Sequence, residues 1–326
     1  MTHVKKTFIP LAVTLSVILL VMVSFSGCFT SNETGTVSLS LTDSPIVDAE
    51  DVEGVYITID SIAYNLNNEW VPAENFDGPQ TFNLLELTNG NVAPLANTQL
   101  SAGTVTQIRF LLDVAERSSG VTSDSSCYIA IDPDGIADGN PADDIIEPIF
   151  IPSGSSTGYK ANGPFDVPTN GTVEITADFD VRKSVVYAGN RRMENGFYLL
   201  KPTIKLIVNN QAGSVSGDFT PDTTDSLNSY VVFAYEPGTY TSSEKTVEDD
   251  STAPFPNAVA STEANDTNDD ELPDHYMIAF LAEGSYDLIV TGVDDEGIYS
   301  VLDTTNYLNV SVQSEQNTTR DISLSE

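Results

Sequence analysis

Histidine, tryptophan, cysteine and positive charge are all scarce in this chain of 326 residues. It has two histidines, and His3 lies in the extreme N-terminus, so a Ser–His–Asp or Cys–His relay would have to use His275. No G-x-S-x-G elbow is present, because Gly213-Ser-Val-Ser-Gly217 places valine where the nucleophile would sit. H-E-x-x-H and C-x-x-C are also missing, which removes the common zinc sites. The two cysteines, Cys28 and Cys127, make no disulfide framework. Beyond residue 26 there is neither a membrane-length apolar run nor a long helical periodicity. Acids number 48 against 13 basic residues, so paired carboxylates are too common to single out a glycosidase. The sequence therefore predicts no catalytic residue and a protein that is not an enzyme. The competing class is a secreted hydrolase of polysaccharide or peptide, which needs convergent carboxylates, or His275 beside a nucleophile, in one cleft.

What is present begins at the N-terminus. Lys5 and Lys6 precede an uncharged run from Thr7 to Ser26 whose centre, Val17 to Val23, is wholly apolar. A basic segment followed by an apolar one is an export signal. The run closes in Ser24-Phe-Ser-Gly-Cys28, which resembles a bacterial-type lipobox with Phe25 where leucine is usual. The resemblance implies that residues 1–27 are a removed signal peptide, that Cys28 carries a diacylglyceryl group, and that 28–34 is a tether. Two acyl chains hold a protein stably at a membrane. A retained transmembrane helix is the alternative. Either way Lys5 and Lys6 stay inside and the rest lies outside the cytoplasmic membrane. The anchor is then on that membrane's outer face, or in the outer membrane of a double-membraned cell. Losing Lys5 and Lys6 leaves 11 basic residues against 48 acids, a net charge of −37. A field of that sign repels nucleic acid and anionic headgroups, so no nucleic-acid partner is expected.

The remainder reads as all-β. Val37, Leu39 and Leu41 alternate with polar residues, as do Val55, Ile57 and Ile59. Further strands are predicted over 105–112, 127–131, 145–151, 173–181 and 197–208, with 82–87 open between strand and helical turn. A polar hinge at Asn209-Asn-Gln-Ala212 precedes a second β series over 230–235, 275–281, 286–290 and 307–312. Residues 237–274 are polar, acidic and aperiodic, and read as mobile loops. The expectation is two tandem antiparallel β-sandwich-like domains, 35–209 and 213–326.

Six blocks carry a resemblance. They are Gly35-Thr-Val-Ser-Leu-Ser-Leu-Thr-Asp-Ser-Pro45, Val55-Tyr-Ile-Thr-Ile-Asp60, Leu84-Leu-Glu-Leu-Thr-Asn-Gly90, Ala102-Gly-Thr-Val-Thr-Gln-Ile-Arg109, Asp178-Phe-Asp-Val-Arg-Lys-Ser184 and Tyr198-Leu-Leu-Lys-Pro202. In this order they resemble domain-of-unknown-function family 4382, which implies lipoprotein context and no established activity. Gly213-Ser-Val-Ser-Gly217 and Leu281-Ala-Glu-Gly-Ser-Tyr-Asp-Leu-Ile-Val290 are similar to the carboxypeptidase regulatory-like, prealbumin-type sandwich. That likeness implies a spacer, or a surface for sugar or protein.

Two constellations remain. Asp132-Pro-Asp134-Gly-Ile-Ala-Asp138, followed by Asp143, alternates carboxylates around a glycine turn and resembles the calcium loops of thrombospondin type 3 repeats. Asp266, Asn268, Asp270 and Asp274 offer oxygens at similar spacing, with Glu271 in place of the turn glycine. Both loops are calcium candidates at millimolar concentration, and both are equally solvated acidic turns. Six of the 11 retained cations, Arg182, Lys183, Arg191, Arg192, Lys201 and Lys205, fall in one short stretch. Arg182, Lys183 and Lys201 are predicted to pair with sheet acids such as Asp178 and Asp180; the alternative is that the cluster holds an anionic or polysaccharide ligand. Trp70 and Tyr187 read as packing residues, with sugar stacking as the alternative. The function expected is a lipid-anchored surface module that binds or builds, stabilised by calcium, with polysaccharide or a surface protein as partner. An accessory subunit of a surface assembly is the remaining alternative.

Overall fold

A computed structural model describes residues 33–43, 52–114, 126–131, 145–150, 158–188, 197–201, 203–222, 227, 229–245, 254–268, 270, 272–294 and 298–324. The fold is all-β. Among the described residues thirteen strands precede residue 209: β1 (Thr34–Thr42), β2 (Val52–Leu66), β3 (Glu69–Pro72), β4 (Gln80–Asn83), β5 (Ala93–Ser101), β6 (Gly103–Leu112), β7 (Tyr128–Ile131), β8 (Ile145–Phe150), β9 (Tyr159–Val167), β10 (Thr172–Asp178), β11 (Val185–Ala188), β12 (Phe197–Leu200) and β13 (Lys205–Val208). They form one sheet in the order β11-β12-β8-β7-β2-β6-β9-β13-β10-β1-β5, with β3 and β4 also on β2. A one-turn helix, α1 (Val181–Ser184), lies between β10 and β11.

The alternation in β1 does what its pattern predicts: Val37, Leu39 and Leu41 are buried and share one core with Val55, Ile57 and Ile59 of β2. In β2 the buried parity then switches to Ile62, Tyr64 and Leu66, because the register against β6 shifts between Ile59 and Ser61. An extra residue in a ladder turns the following side chains to the other face. Asn67 and Asn68 both take positive φ (51° and 70°) and close the β2–β3 hairpin, as a two-residue turn of matching twist requires.

Cys127 sits in this core as a buried free thiol. Its Sγ accepts from the Thr58 amide at 3.3 Å, and burial pushes its pKa up to about 12. An un-ionised thiol is inert.

From residue 212 onward the strands are β14 (Ala212–Thr220), β15 (Ser229–Tyr235), β16 (Ala260–Glu263), β17 (His275–Ala282), β18 (Gly284–Val293), β19 (Tyr299–Asp303), β20 (Val310–Val312), β21 (Asn317–Thr319) and β22 (Ile322–Ser323). A four-stranded sheet holds β17, β14, β21 and β22, and a five-stranded sheet holds β16, β15, β18, β19 and β20. Val215, Tyr276 and Ile278 of the first meet Val232, Leu288 and Val290 of the second in one core. The opposite face of β15 and β18 is covered as well, since Val231, Phe233, Tyr235 and Ile289 pack with Phe255 and Tyr299. Burial on both faces explains why Tyr230–Tyr235 is continuously apolar instead of alternating. Residues Thr34–Glu326 form one compact unit.

Several local expectations need correction. The strand predicted over 197–208 is two strands, β12 ending at Leu200 and β13 starting at Lys205, and they pair with different neighbours, β8 and β11 for the first and β9 and β10 for the second. The strand predicted to run to Val181 stops at Asp178, where Asp180 adopts φ 40° and starts α1. The 82–87 stretch ends β4 and becomes a 3-10 turn, Leu84–Glu86. Within 237–274, Ser242–Lys245 is a 3-10 turn, Ala260–Glu263 is a strand, and Phe255 and Ala258 are fully buried. Several ladders are parallel, notably β1 with β10 and β14 with β21 and β22.

Candidate functional site

Four of the six quoted blocks meet at one end of the long sheet. Parallel pairing of β1 and β10 sets Thr42 beside Asp178. The Thr42 hydroxyl donates to the Leu87 and Asn91 carbonyls at 3.0 and 2.9 Å, and the Asp43 amide donates to Leu87 O at 2.9 Å. That ties the end of β1 to the turn after the Leu84–Gly90 block. Asp43 Oδ1 accepts from the Val181 amide at 2.8 Å and so caps α1 from another strand, doing the work that Asp180 at the cap position does not. Asp178 Oδ1 accepts from the Asp180 amide at 3.1 Å. The far end of α1 is fixed by the Lys201 amide on Ser184 O (2.6 Å).

This corner aims cations at the second β series. Arg182 is buried, and its Nη1 donates to the Pro254 and Phe255 carbonyls at 2.8 and 2.7 Å. Lys183 Nζ donates to Ala258 O at 2.6 Å, and Lys205 Nζ donates to Val259 O. Asp180 Oδ2 lies 3.8 Å from Arg182 Nη2 and 3.6 Å from Lys183 Nζ. The Arg182 guanidinium also sits 5.6 Å from the Phe233 ring centroid, and Phe233 stacks on Phe255 at 4.3 Å. Phe255 is fully buried with φ 52°, a conformation costly for an aromatic residue, and it turns its carbonyl to Arg182. Asn89 accepts from Thr262, and Gly90, at φ 80°, lies so close to Met277 that an added Cβ would sit 3.2 Å from its sulfur.

Burial governs the electrostatics. Asp178 is held up at about 6, first by desolvation and then by the Asp180 charge, against the pull of Lys205 and Lys183. Lys183 is brought down to about 8 by desolvation and by Arg182, with Asp180 opposing. The corner borders a cleft of about 600 Å³ lined by Asp178, Lys205 and Glu236 and by Met277, Phe280 and Tyr286.

The cations expected to pair with sheet acids thus pair only in part. Arg182 and Lys183 do meet Asp180, but the principal partners of Arg182, Lys183 and Lys205 are backbone carbonyls of 254–259, which charge counting cannot reveal. Arg191 and Arg192 lie outside the described residues, as do Cys28 and the loop of Asp132, Asp134, Asp138 and Asp143. In the other acidic loop, Asp266 Oδ1 accepts from the Asn268 amide at 2.9 Å and Asp270 Oδ1 from the Leu272 amide at 3.1 Å. Both Asp274 oxygens accept from the Thr267 hydroxyl, at 2.7 and 2.9 Å. Among the described residues no three histidine, cysteine or acidic side chains gather around a metal-sized space. His275 pairs through its backbone with Asn265 at the start of β17. Trp70 lies under the Arg109 guanidinium, 3.9 Å from ring centroid to Cζ. Among the described residues no helix is long and apolar enough to cross a membrane.

A family model described as a domain of unknown function, DUF4382, matches residues 34–202, just over half of the chain. The chain belongs to the DUF4382 family. The DUF4382 region contains Asp43, Asn89, Asp178, Asp180, Arg182 and Lys183, whereas the carbonyls that Arg182 and Lys183 reach, those of Pro254, Phe255 and Ala258, lie beyond it. No curated protein matches in sequence. Solved structures with some similarity include a leucine-rich repeat protein from Bacteroides thetaiotaomicron, at 12% identity and TM-score 0.21, covering 90% of this chain but only 27% of that one. The minor pilin GBS52 of Streptococcus agalactiae is 11% identical at TM-score 0.18, covering 88% of this chain and 94% of its own. The major pilin subunit BcpA of Bacillus cereus is 9% identical at TM-score 0.19, with 90% and 100% covered.

Proposed function

We propose that this DUF4382 protein is a non-catalytic surface module, exported and lipid-anchored through Cys28, whose second half is a carboxypeptidase regulatory-like sandwich. The observation that carries the reading is the use of Arg182, Lys183 and Lys205. Lys205, the cation that lines the cleft, donates to Val259 O, and Arg182 and Lys183 beside it donate to the carbonyls of Pro254, Phe255 and Ala258. A protein that works as a rigid body at a surface gains from that arrangement, whereas a hydrolase would need those charges free. The excess of 35 negative charges over the whole chain suits an external, cation-rich medium.

The Cys28→Ser variant tests the anchor. The wild type should fractionate with membranes and partition into detergent at a mass showing loss of 27 residues and gain of lipid. The variant should stay unlipidated and lose detergent partitioning. A variant that still partitions at the wild-type processed mass contradicts a thiol-linked anchor.

Calcium belongs to the proposal through both acidic loops, Asp132, Asp134, Asp138 and Asp143 in the first and Asp266, Asn268, Asp270 and Asp274 in the second. Millimolar calcium should raise the melting temperature and EDTA should reverse the rise. An unchanged melting temperature removes the metal.

A further inference from the structure

The outer face of the long sheet carries a second group of cations. In β6, Ile108 and Phe110 are fully buried, so Gln107 and Arg109 point the other way; in β9, buried Tyr159 and Ala161 likewise leave Lys160 and Asn162 outward. The register sets Arg109 directly opposite Lys160 and Gln107 opposite Asn162. Two like charges facing each other across a ladder destabilise it. The clash occurs in a chain with 48 acids, any of which could have served as a partner. Among the described residues the ion pairs are those of Asp180 with Arg182 and Lys183, so neither Arg109 nor Lys160 is neutralised. Asp166, further along β9, accepts from the Thr104 hydroxyl at 2.7 Å instead.

Arg109 is also held in place. Its stem crosses Gly158, where an added Cβ would meet Arg109 Cγ at 2.6 Å, and its guanidinium lies 3.9 Å from the centroid of Trp70. Stacking fixes the plane of the fork without cancelling its charge, and Nε remains without a hydrogen-bond partner. One step along the ladder, Asn65 of β2, Gln107 and Asn162 form a row of amides across three strands, with Gln107 Nε2 donating to Asn162 Oδ1 at 2.7 Å. That row spans about 10 Å, the scale of a disaccharide.

We propose that this face binds a sparsely charged acidic polysaccharide, with a carboxylate between Arg109 and Lys160 and neighbouring hydroxyls on the Asn65, Gln107 and Asn162 amides. This rests on the reading of the chain as a surface-binding module. Two cations match one anionic group. A dense polyanion such as nucleic acid would set further charges against the acidic remainder of the surface, which screening tempers only beyond about 8 Å at physiological salt. Carboxamides donate and accept at once, as sugar hydroxyls require.

Trp70 is the only tryptophan in the chain, so its fluorescence reports on this face directly. The full mature chain in detergent is titrated with a hyaluronan hexasaccharide, which carries one carboxylate per two rings, by fluorescence and calorimetry. Dextran, heparin and single-stranded DNA run in parallel. A saturable fluorescence change and binding heat are expected with hyaluronan and not with dextran. Lys160→Gln, an exposed change that also removes the repulsion from Arg109, should weaken binding about tenfold or more at an equal or higher melting temperature. Silence with hyaluronan, an equal response to dextran, unaltered binding by Lys160→Gln, or tighter binding of heparin or DNA overturns the site. If the hexasaccharide is bound and cleaved, the site stands and the non-catalytic reading of the protein falls. If it is neither bound nor cleaved, the site falls and that reading is untouched.

Discussion

Replacing Arg182 with alanine is expected to destabilise the 34–326 unit by about 3–5 kcal/mol, the usual cost of removing one member of a buried charged group. The loss has three parts. Asp180, buried to 1% exposure, keeps Lys183 but loses Arg182. The Pro254 carbonyl loses the Arg182 donor, while Phe255 O keeps only the Ala258 amide. The Phe233 ring loses the guanidinium lying over it. Arg182→Lys should recover only part of the loss, because one ammonium on a flexible stem does not reproduce a fork held on two adjacent carbonyls. Urea denaturation with both variants checks this. A loss under about 1 kcal/mol for Arg182→Ala, the range of exposed pairs, would contradict a buried role.

The second large effect is one of pH. Asp178 holds its proton up to about 6 in the native state, whereas an unfolded aspartate releases it near 3.8. Between those values the native state binds more protons than the unfolded state, so this group makes stability fall as pH rises from about 4 to about 6. Two pKa units correspond to about 3 kcal/mol, an order-of-magnitude figure for a residue only 7% exposed. Asp178→Asn should therefore match the wild type near pH 4 and become more stable above pH 6, by up to about 3 kcal/mol. Chemical denaturation across pH 4–8 measures the difference. A variant offset from the wild type by a constant amount would place the titration elsewhere.

Much of the architecture was legible because the relevant signal is local. The alternation of Val37, Leu39 and Leu41 is written in consecutive residues, and burial follows it. A local pattern does not show a backbone event that resets it: the extra residue near Asp60 that flips β2, and the break between Leu200 and Lys205 that divides one apolar run between two ladders. The polar stretch 237–274 carries no strand or core signal because its contribution is made by carbonyls. Those of Pro254, Phe255, Ala258 and Val259 carry no side-chain signature, although they are what the basic cluster reaches. Clustering of cations between residues 182 and 205 was visible; its purpose depends on neighbours more than 50 residues away. The opposition of Arg109 and Lys160 depends on a register that joins separate strands, and no window of sequence contains both in a recognisable pattern.

Arg182, Lys183 and Lys205 join the long sheet and the second β series into a single body. Scanning calorimetry of residues 34–326 tests it most directly, with the wild type beside a variant carrying alanine at all three positions. The wild type should unfold in one transition whose calorimetric and van't Hoff enthalpies agree, and the variant in two separated transitions. Two independent transitions in the wild type, or a variant that melts as the wild type does, would contradict it.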